Sequence, residues 1–233
     1  MTKVVGVYSG KVAQWRGNGK RFETAIFKTR VAGKVAITVS GITDDFQADQ
    51  VHHGGPDKAL CLFASEQYNN IEKQLALSLP RPAFGENLLV SGVDDRELCI
   101  GDILCIGTTK LQVSQPRRPC YKISAVHGEP KLAHYFQQTG YTGCYLRCLE
   151  PGQLQAGDEI VWHHGEETRV SILDVNRILY GKEIDPQLIN QLLSLKSIAT
   201  SLRATLKKRL EGAEVDDRRR LYGEFDETTR ESV

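Results

Sequence analysis

Residues 98–122 read LCIGDILCIGTTKLQVSQPRRPCYK, and the fold turns on how this run is parsed. Gly101-Asp102 between two short apolar arms is hairpin-turn chemistry, with glycine taking a positive φ that other residues avoid. The flanking LCI, ILCIG and TTKLQVSQ are β-branched or alternating, as strands are. The pattern Leu-x-x-Gly-Asp-x-aliphatic returns in LQAGDEI at 154–160. Two copies predict two similar corners in one barrel or sandwich and not a repeat protein.

Working outward, KVVGVYSGKV, AIFKTRVAGKVAITVSGI, KALCLFA, ENLLV and GCYLRCL carry the same strand signals, bounded by Gly, Asp and Pro, up to about Trp162. Two helices interrupt them. Ser65 is placed to cap EQYNNIEKQLA, whose Tyr68, Ile71 and Leu75 share a face, and PKLAHYFQQTG runs from Pro130 to Gly140. Strands with occasional helices and no βαβ alternation predict a mainly β fold, a barrel with short helices at its rim. From about Thr168 the pattern is helical. Asp174 is expected to cap VNRILY, Asp185-Pro186 to start QLINQLL, and SIATSLRATLKKRLEG to place Ile198, Leu202, Leu206 and Leu210 four apart. The division expected is a β-barrel over 1–165, a small all-α three-helix domain over 166–225 and a frayed tail over 226–233.

The chain has 233 residues, 40% hydrophobic and 25% charged, with a net charge of +1, so composition describes an ordinary globular protein able to bury a core. Bulk charge signals no nucleic-acid or membrane partner. No apolar run approaches the roughly 20 residues of a membrane span. MTKVVGVYSGKVAQW lacks the basic start and apolar region of an export signal, so the expected location is cytoplasmic. Six cysteines in such a setting are expected to be reduced. Cys61, Cys99, Cys105, Cys144 and Cys148 lie in apolar strand contexts and read as small hydrophobes.

Cys120 differs. Pro119 stiffens the approach to it, and Arg117, Arg118 and Lys122 would favour a thiolate by direct charge, although a solvated turn explains the same residues equally well. In DQVHHGGPDKAL (49–60), Gly54-Gly55-Pro56 makes a sharp turn able to form an anion nest beside His52, His53 and Lys58; the plainer reading is a hairpin with exposed histidines. AFGENLLV presents Glu86 and Asn87 at a turn, and Lys28 alternates with Arg30 on a strand that either faces a cavity or forms a polar outer surface.

VHHGGPDKAL, PAFGENLLV, GDIL and QVSQPRRPCYK, in that order, resemble the MOSC domain, named after the C-terminal domain of molybdenum-cofactor sulfurases. The closest resemblance is to the stand-alone bacterial branch associated with resistance to 6-N-hydroxylaminopurine, which also carries a C-terminal three-helix domain and so covers the chain to about Phe225. The resemblance implies a β-barrel with rim helices and a molybdenum cofactor (molybdopterin), with Cys120 as metal ligand and catalytic centre. A soft thiolate suits a high-valent metal already bound by a dithiolene. Lys28, Arg117 and Arg118, then Lys58 with Gly54 and Gly55, and Asn87, are the cofactor-binding candidates. His53 occupies the family's His-Gly-Gly position and is the candidate proton donor, ahead of Asp45, Asp49 and Glu86. The residue before it is usually not histidine, whereas here it is His52.

The activity implied is reduction of N-hydroxylated bases and hydroxylamines to amines, with electrons from a separate reductase, since no flavin, haem or iron–sulfur motif is present in the sequence. Two other readings compete. One is a sulfur carrier using a Cys120 persulfide for metal-sulfur centre maturation. Pyridoxal phosphate, associated with sulfurase relatives, is not expected, because no lysine has a Schiff-base context. The other makes Arg203–Arg220, with Lys207, Lys208, Arg209, Arg218 and Arg219, a partner- or nucleic-acid-binding module. Glu211, Glu214, Asp216 and Asp217 interleave there, so a solvated or docking face is expected and nucleic acid is not. Leu188, Ile189 and Leu192 either pack onto the barrel or form the seam of a homodimer.

Overall fold

The computed structural model describes residues 1–165, 168–181, 184–213 and 217–223, with the backbone alone at 51 and 52. Its strands are β1 (Lys3–Ser9), β2 (Ala13–Gly17), β3 (Lys20–Thr24), β4 (Thr29–Arg30), β5 (Val35–Thr38), β6 (Gly41–Ile42), β7 (Leu60–Ala64), β8 (Leu88–Ser91), β9 (Ile103–Ile106), β10 (Thr109–Pro116), β11 (Cys144–Glu150), β12 (Gly152–Leu154) and β13 (Ile160–His163). Eight form one sheet in the order β13-β9-β10-β11-β7-β8-β1-β4, and β12-β5-β6 and β2-β3 form two smaller ones. The main sheet curls into a half-barrel.

Both Gly-Asp corners appear, and they are the same turn. Gly101 and Gly157 have φ of 92° and 97°. In each, the aspartate accepts a hydrogen bond from the backbone N–H three residues earlier, Cys99 to Asp102 and Gln155 to Asp158, both at 2.9 Å. Asp102 does more: its buried carboxylate also accepts from Trp162 Nε1 and Arg169, tying the corner to β13 and to the start of the helical region.

Alternation along the strands gives the sheet two buried faces. On β7, Leu60 and Leu62 join the core that fills the half-barrel, while Phe63 faces a second, aromatic cluster with Phe84, Tyr68 and Phe136. The rim helices cover this second face: α2 (Glu66–Leu75) through Tyr68 and Ile71, α3 (Tyr121–His127) through Ile123, and α4 (Leu132–Thr139) through Leu132, Ala133 and Phe136. The short α1 (Gln50–His53) precedes them in the chain.

Several expectations need correction. A βαβ unit exists, since β7 and β8 pair in parallel across α2. Residues 121–127, to which the sequence reading assigned no helix, form α3. Ser65 directs its hydroxyl to Glu66 and accepts no helix N–H. Leu132, not Pro130, begins α4. The α5 helix (Ile172–Tyr180) is capped by Ser171, which accepts from the Asp174 N–H in a capping-box arrangement, so the helix starts a turn earlier than Asp174 suggested. By contrast Asp185 does cap α6 (Pro186–Ser194), accepting from the Leu188 N–H at 3.0 Å.

The α7 helix (Thr200–Leu210) and short α8 (Arg218–Tyr222) are the last elements among the described residues. Ile172, Val175, Ile189, Leu192, Leu202 and Leu206 share one continuous core with Leu111 and Val113 of the sheet. The helical region is therefore welded to the half-barrel, and Ile189 and Leu192 are fully buried within the chain. Glu214, Asp216 and the tail expected over 226–233 lie outside the described residues.

Candidate functional site

A cleft with a cavity volume of about 90 Å³, open to solvent on one side, lies on the aromatic face of the sheet. Its walls come from six parts of the sequence, within 24–28, 45–49, 53–61, 84–87 and 117–123 and at Tyr145. Cys120, His53, Lys28, Lys58, Asn87, Arg117 and Arg118 all line it, together with Asp45 and Asp49.

Cys120 is half-buried and free, in extended backbone (φ −133°, ψ 163°) at the N-terminal boundary of α3. The preceding strand fixes it: β10 runs to Pro116, and the Arg117 N–H continues the pairing to Gly143 C=O at 3.0 Å. Arg117 is buried between the Phe84 and Phe136 rings, with its carbon centre 5.8 and 5.9 Å from their centroids. Its Nη2 donates to Phe84 C=O, and its Nη1, also buried, has no partner among the described residues. The Arg118 side chain bonds the Tyr180 hydroxyl, and its Nη2 lies 3.8 Å from Asp217.

Lys28 and Asp45 form an ion pair with side chains only 4% and 2% exposed. Asp45 also accepts from the Gly10 N–H and from Asn87 Nδ2, both at 2.9 Å. Asn87 spends its remaining groups on Cys61 N–H, which it accepts at 3.0 Å, and on Tyr8 C=O. Asn87 is thus a bracket for Asp45, and Lys28 is a neutralised cation; the other cations lining the cleft are Arg117, Arg118, Lys58 and Lys122. Burial pushes the pKa of Lys58 down, against opposing pulls from Asp57 and Asp49.

His53 ends α1, and its Nδ1 lies 3.0 Å from the Tyr145 hydroxyl. Burial first, then Arg117, lower its pKa to about 4, which makes it a neutral imidazole at physiological pH. The His52 ring lies outside the described side chains. Gly54 and Gly55 are not among the lining residues: the Gly54 N–H donates to Gln50 C=O at 3.2 Å, and Gly55, at φ 96°, supplies only the turn into the 3-10 segment Pro56–Lys58. Glu86 stays away from the cleft too. It is fully buried and accepts from the Tyr68 hydroxyl and from the Phe84 N–H, holding the turn.

Two lining residues escaped the sequence reading. Tyr145 and Cys61 face each other across β11 and β7. Each sits on the strand face opposite its core neighbours, Cys144 and Leu146 or Leu60 and Leu62, and that alternation in GCYLRCL and KALCLFA was the available signal. Burial drives both acids upward, Cys61 to about 11, so both stay protonated.

With this geometry in hand, comparisons give the kinship. Residues 49–161 match the MOSC domain and 170–213 the YiiM-like, 3-alpha helix domain. The protein YiiM of Escherichia coli (strain K12) is 34% identical over 94% of this chain and 98% of its own length. The chain belongs to the MOSC family. Within that family, the uncharacterized protein YflK of Bacillus subtilis (strain 168) is 37% identical over 88% of this chain and 93% of its own length. The crystal structure of YiiM from Geobacillus stearothermophilus superposes with a TM-score of 0.76 at 31% identity, covering 90% of this chain and all of that one. A longer protein of Gibberella moniliformis (strain M3125 / FGSC 7600), described as a reductase, is 28% identical over 76% of this chain and 32% of its own length. MOSC domains are associated with the molybdenum cofactor, and Cys120, His53, Arg117 and Arg118 lie in the matched region, with the wall around Lys28 and Asp45 outside it.

Proposed function

We propose that this MOSC protein is a molybdenum-cofactor-dependent reductase of N-hydroxylated compounds. The observation that carries the reading is the buried, unpartnered Nη1 of Arg117 in the cleft that also contains Cys120. A buried guanidinium N–H left without an acceptor costs on the order of 1–3 kcal/mol, and an anionic ligand oxygen removes that cost. The residues fit the group: Arg117 and Arg118 suit its phosphate, Lys58 and Lys122 add positive charge, Ile26 and Phe84 offer apolar wall, and Cys120 offers the soft ligand. When bound, the cofactor supplies the two-electron chemistry of N–O cleavage.

The chain's own part is orientation and proton supply. The overall change is R–NHOH plus two electrons and two protons to R–NH2 and water, with electrons from a separate reductase. Tyr145, held protonated by burial, donates to His53 Nδ1, which puts the imidazole proton on Nε2. The neutral ring hydrogen-bonds the departing oxygen through Nε2 while Tyr145 steadies it, and it delivers a proton only once it has itself been protonated. A bound phosphate dianion offsets the Arg117 charge and raises the His53 pKa, bringing the donor closer to working pH. The distant relative described as a reductase supports this reaction class.

The test is turnover of an N-hydroxylated base by cofactor-loaded protein with a chemical reductant. Amine should form with the unsubstituted protein and not with Cys120→Ala. A persulfide on Cys120, with no metal and no turnover, would instead establish the sulfur-carrier reading.

A further inference from the structure

We infer that the first turn of α7 positions the cleft and that Asp57, which does not line it, is the positioning residue through which it acts. Asp57 Oδ2 accepts from the Thr200 N–H at 2.8 Å across 143 residues. Thr200 is the first residue of α7, and Ala199 before it has no side chain able to cap. The barrel therefore supplies the cap that the helix lacks, satisfying one of its free N–H groups. The other oxygen, Oδ1, holds Arg147 through Nε at 2.9 Å and Nη2. Arg147 Nη1 reaches on to Gln112 Oε1 at 2.8 Å and to Ser197 C=O at 3.2 Å. Next to these, the Ala199 N–H donates to Ser114 C=O at 3.0 Å, Ser201 Oγ to Gln115 Oε1 at 2.8 Å, and Ser114 Oγ to Asp57 C=O.

Asp57, Arg147, Ser114 and Gln115 each lie near a cleft residue. Asp57 stands between His53 and Lys58. Arg147 shares a strand face with Tyr145, two residues earlier, and Ser114 and Gln115 lead into Arg117. Three segments with no covalent reason to stay in register are thus referenced to one helical turn. Second-layer groups of this kind typically change ligand affinity about 10-fold or more when removed. The helical region gains a role beyond stability: it holds the cationic and titratable walls of the cleft in mutual alignment.

A single backbone donor can be deleted here. Proline is tolerated as the first residue of a helix, and Ala199 (φ −61°, ψ 143°) already has the extended conformation required before proline. Thr200→Pro removes the N–H, and Thr200→Ser keeps both it and the hydroxyl, which also bonds Asp57. One readout is the NMR titration of His53, whose charged surroundings are Arg117, Asp49, Lys58 and Lys122, so a changed midpoint reports altered geometry and not the loss of the Asp57 charge. The second is binding of inorganic pyrophosphate to the full-length protein, which rests on the anion-site reading above.

In Thr200→Pro and Asp57→Asn, the His53 midpoint should rise and pyrophosphate affinity should fall about 10-fold, while Thr200→Ser should match the unsubstituted protein. An unchanged His53 midpoint in Thr200→Pro overturns the inference, whatever the melting temperature does; if that variant fails to fold, Asp57→Asn decides on the same readout. Should the unsubstituted protein not bind pyrophosphate, the cofactor reading suffers, and the His53 titration alone judges the positioning role.

Discussion

The depressed pKa of His53 has a thermodynamic cost that can be isolated by His53→Gln. Burial and the Arg117 charge take the folded-state value to about 4 from an ordinary 6.5. The folded protein therefore binds fewer protons at this site than the unfolded chain between these values, and stability falls as pH falls through the window. At pH 5 the unfolded histidine is protonated and the folded one is still neutral. About 1.5 pH units at about 1.4 kcal/mol each give a loss of at most about 2 kcal/mol relative to pH 7.5. Urea unfolding of both proteins at the two pH values removes contributions from every other group. The unsubstituted protein should lose about 2 kcal/mol more than His53→Gln on acidification. Equal losses, or a His53 NMR midpoint near its ordinary value, would refute both the burial argument and the neutral-imidazole role.

Other outcomes follow from the same structure. Burial raises the Asp95 carboxyl to about 6 despite a 2.8 Å hydrogen bond from the Gly143 N–H, so its full contribution exists below the ordinary carboxylate value and is lost as pH rises through 6. Asp95→Asn should accordingly gain about 1–3 kcal/mol at pH 8 by urea unfolding and little at pH 4. Lys28→Ala strands a nearly inaccessible Asp45 charge and should cost about 3–5 kcal/mol at pH 7, with less cost for the double variant carrying Asp45→Asn. Arg117→Lys keeps the charge but loses the fork that grips Phe84 C=O while leaving Nη1 for a ligand; pyrophosphate binding by calorimetry should weaken about 10-fold or more.

The corners were readable because Gly-Asp needs nothing distant: a positive φ and a side chain accepting from three residues back are written within five positions. Cys120 was readable because proline and paired arginines surround it. What stayed hidden depends on pairing across the sheet. Tyr145 and Cys61 are ordinary strand residues until β11 and β7 align, and only then does their shared face become a wall of the cleft. Lys28 looked like a phosphate ligand, yet Asp45, brought in by Gly10 and Asn87, neutralises it. Local glycine chemistry also misled. Gly54-Gly55 suggested a nest, but the four-residue helix ending at His53 uses the Gly54 N–H. Helix starts shifted for the same reason, since a cap is settled by which side chain the backbone lets reach the free N–H groups, as Ser171 does in place of Asp174.

The central claim is that Cys120, Arg117 and Arg118 form one cofactor site. Metal analysis and pterin fluorescence on protein purified from a cofactor-competent host test it most directly. The account predicts molybdenum and pterin in equal amounts approaching one per chain, lost together in Cys120→Ala; protein free of both, or a variant that retains both at the same level, would contradict it.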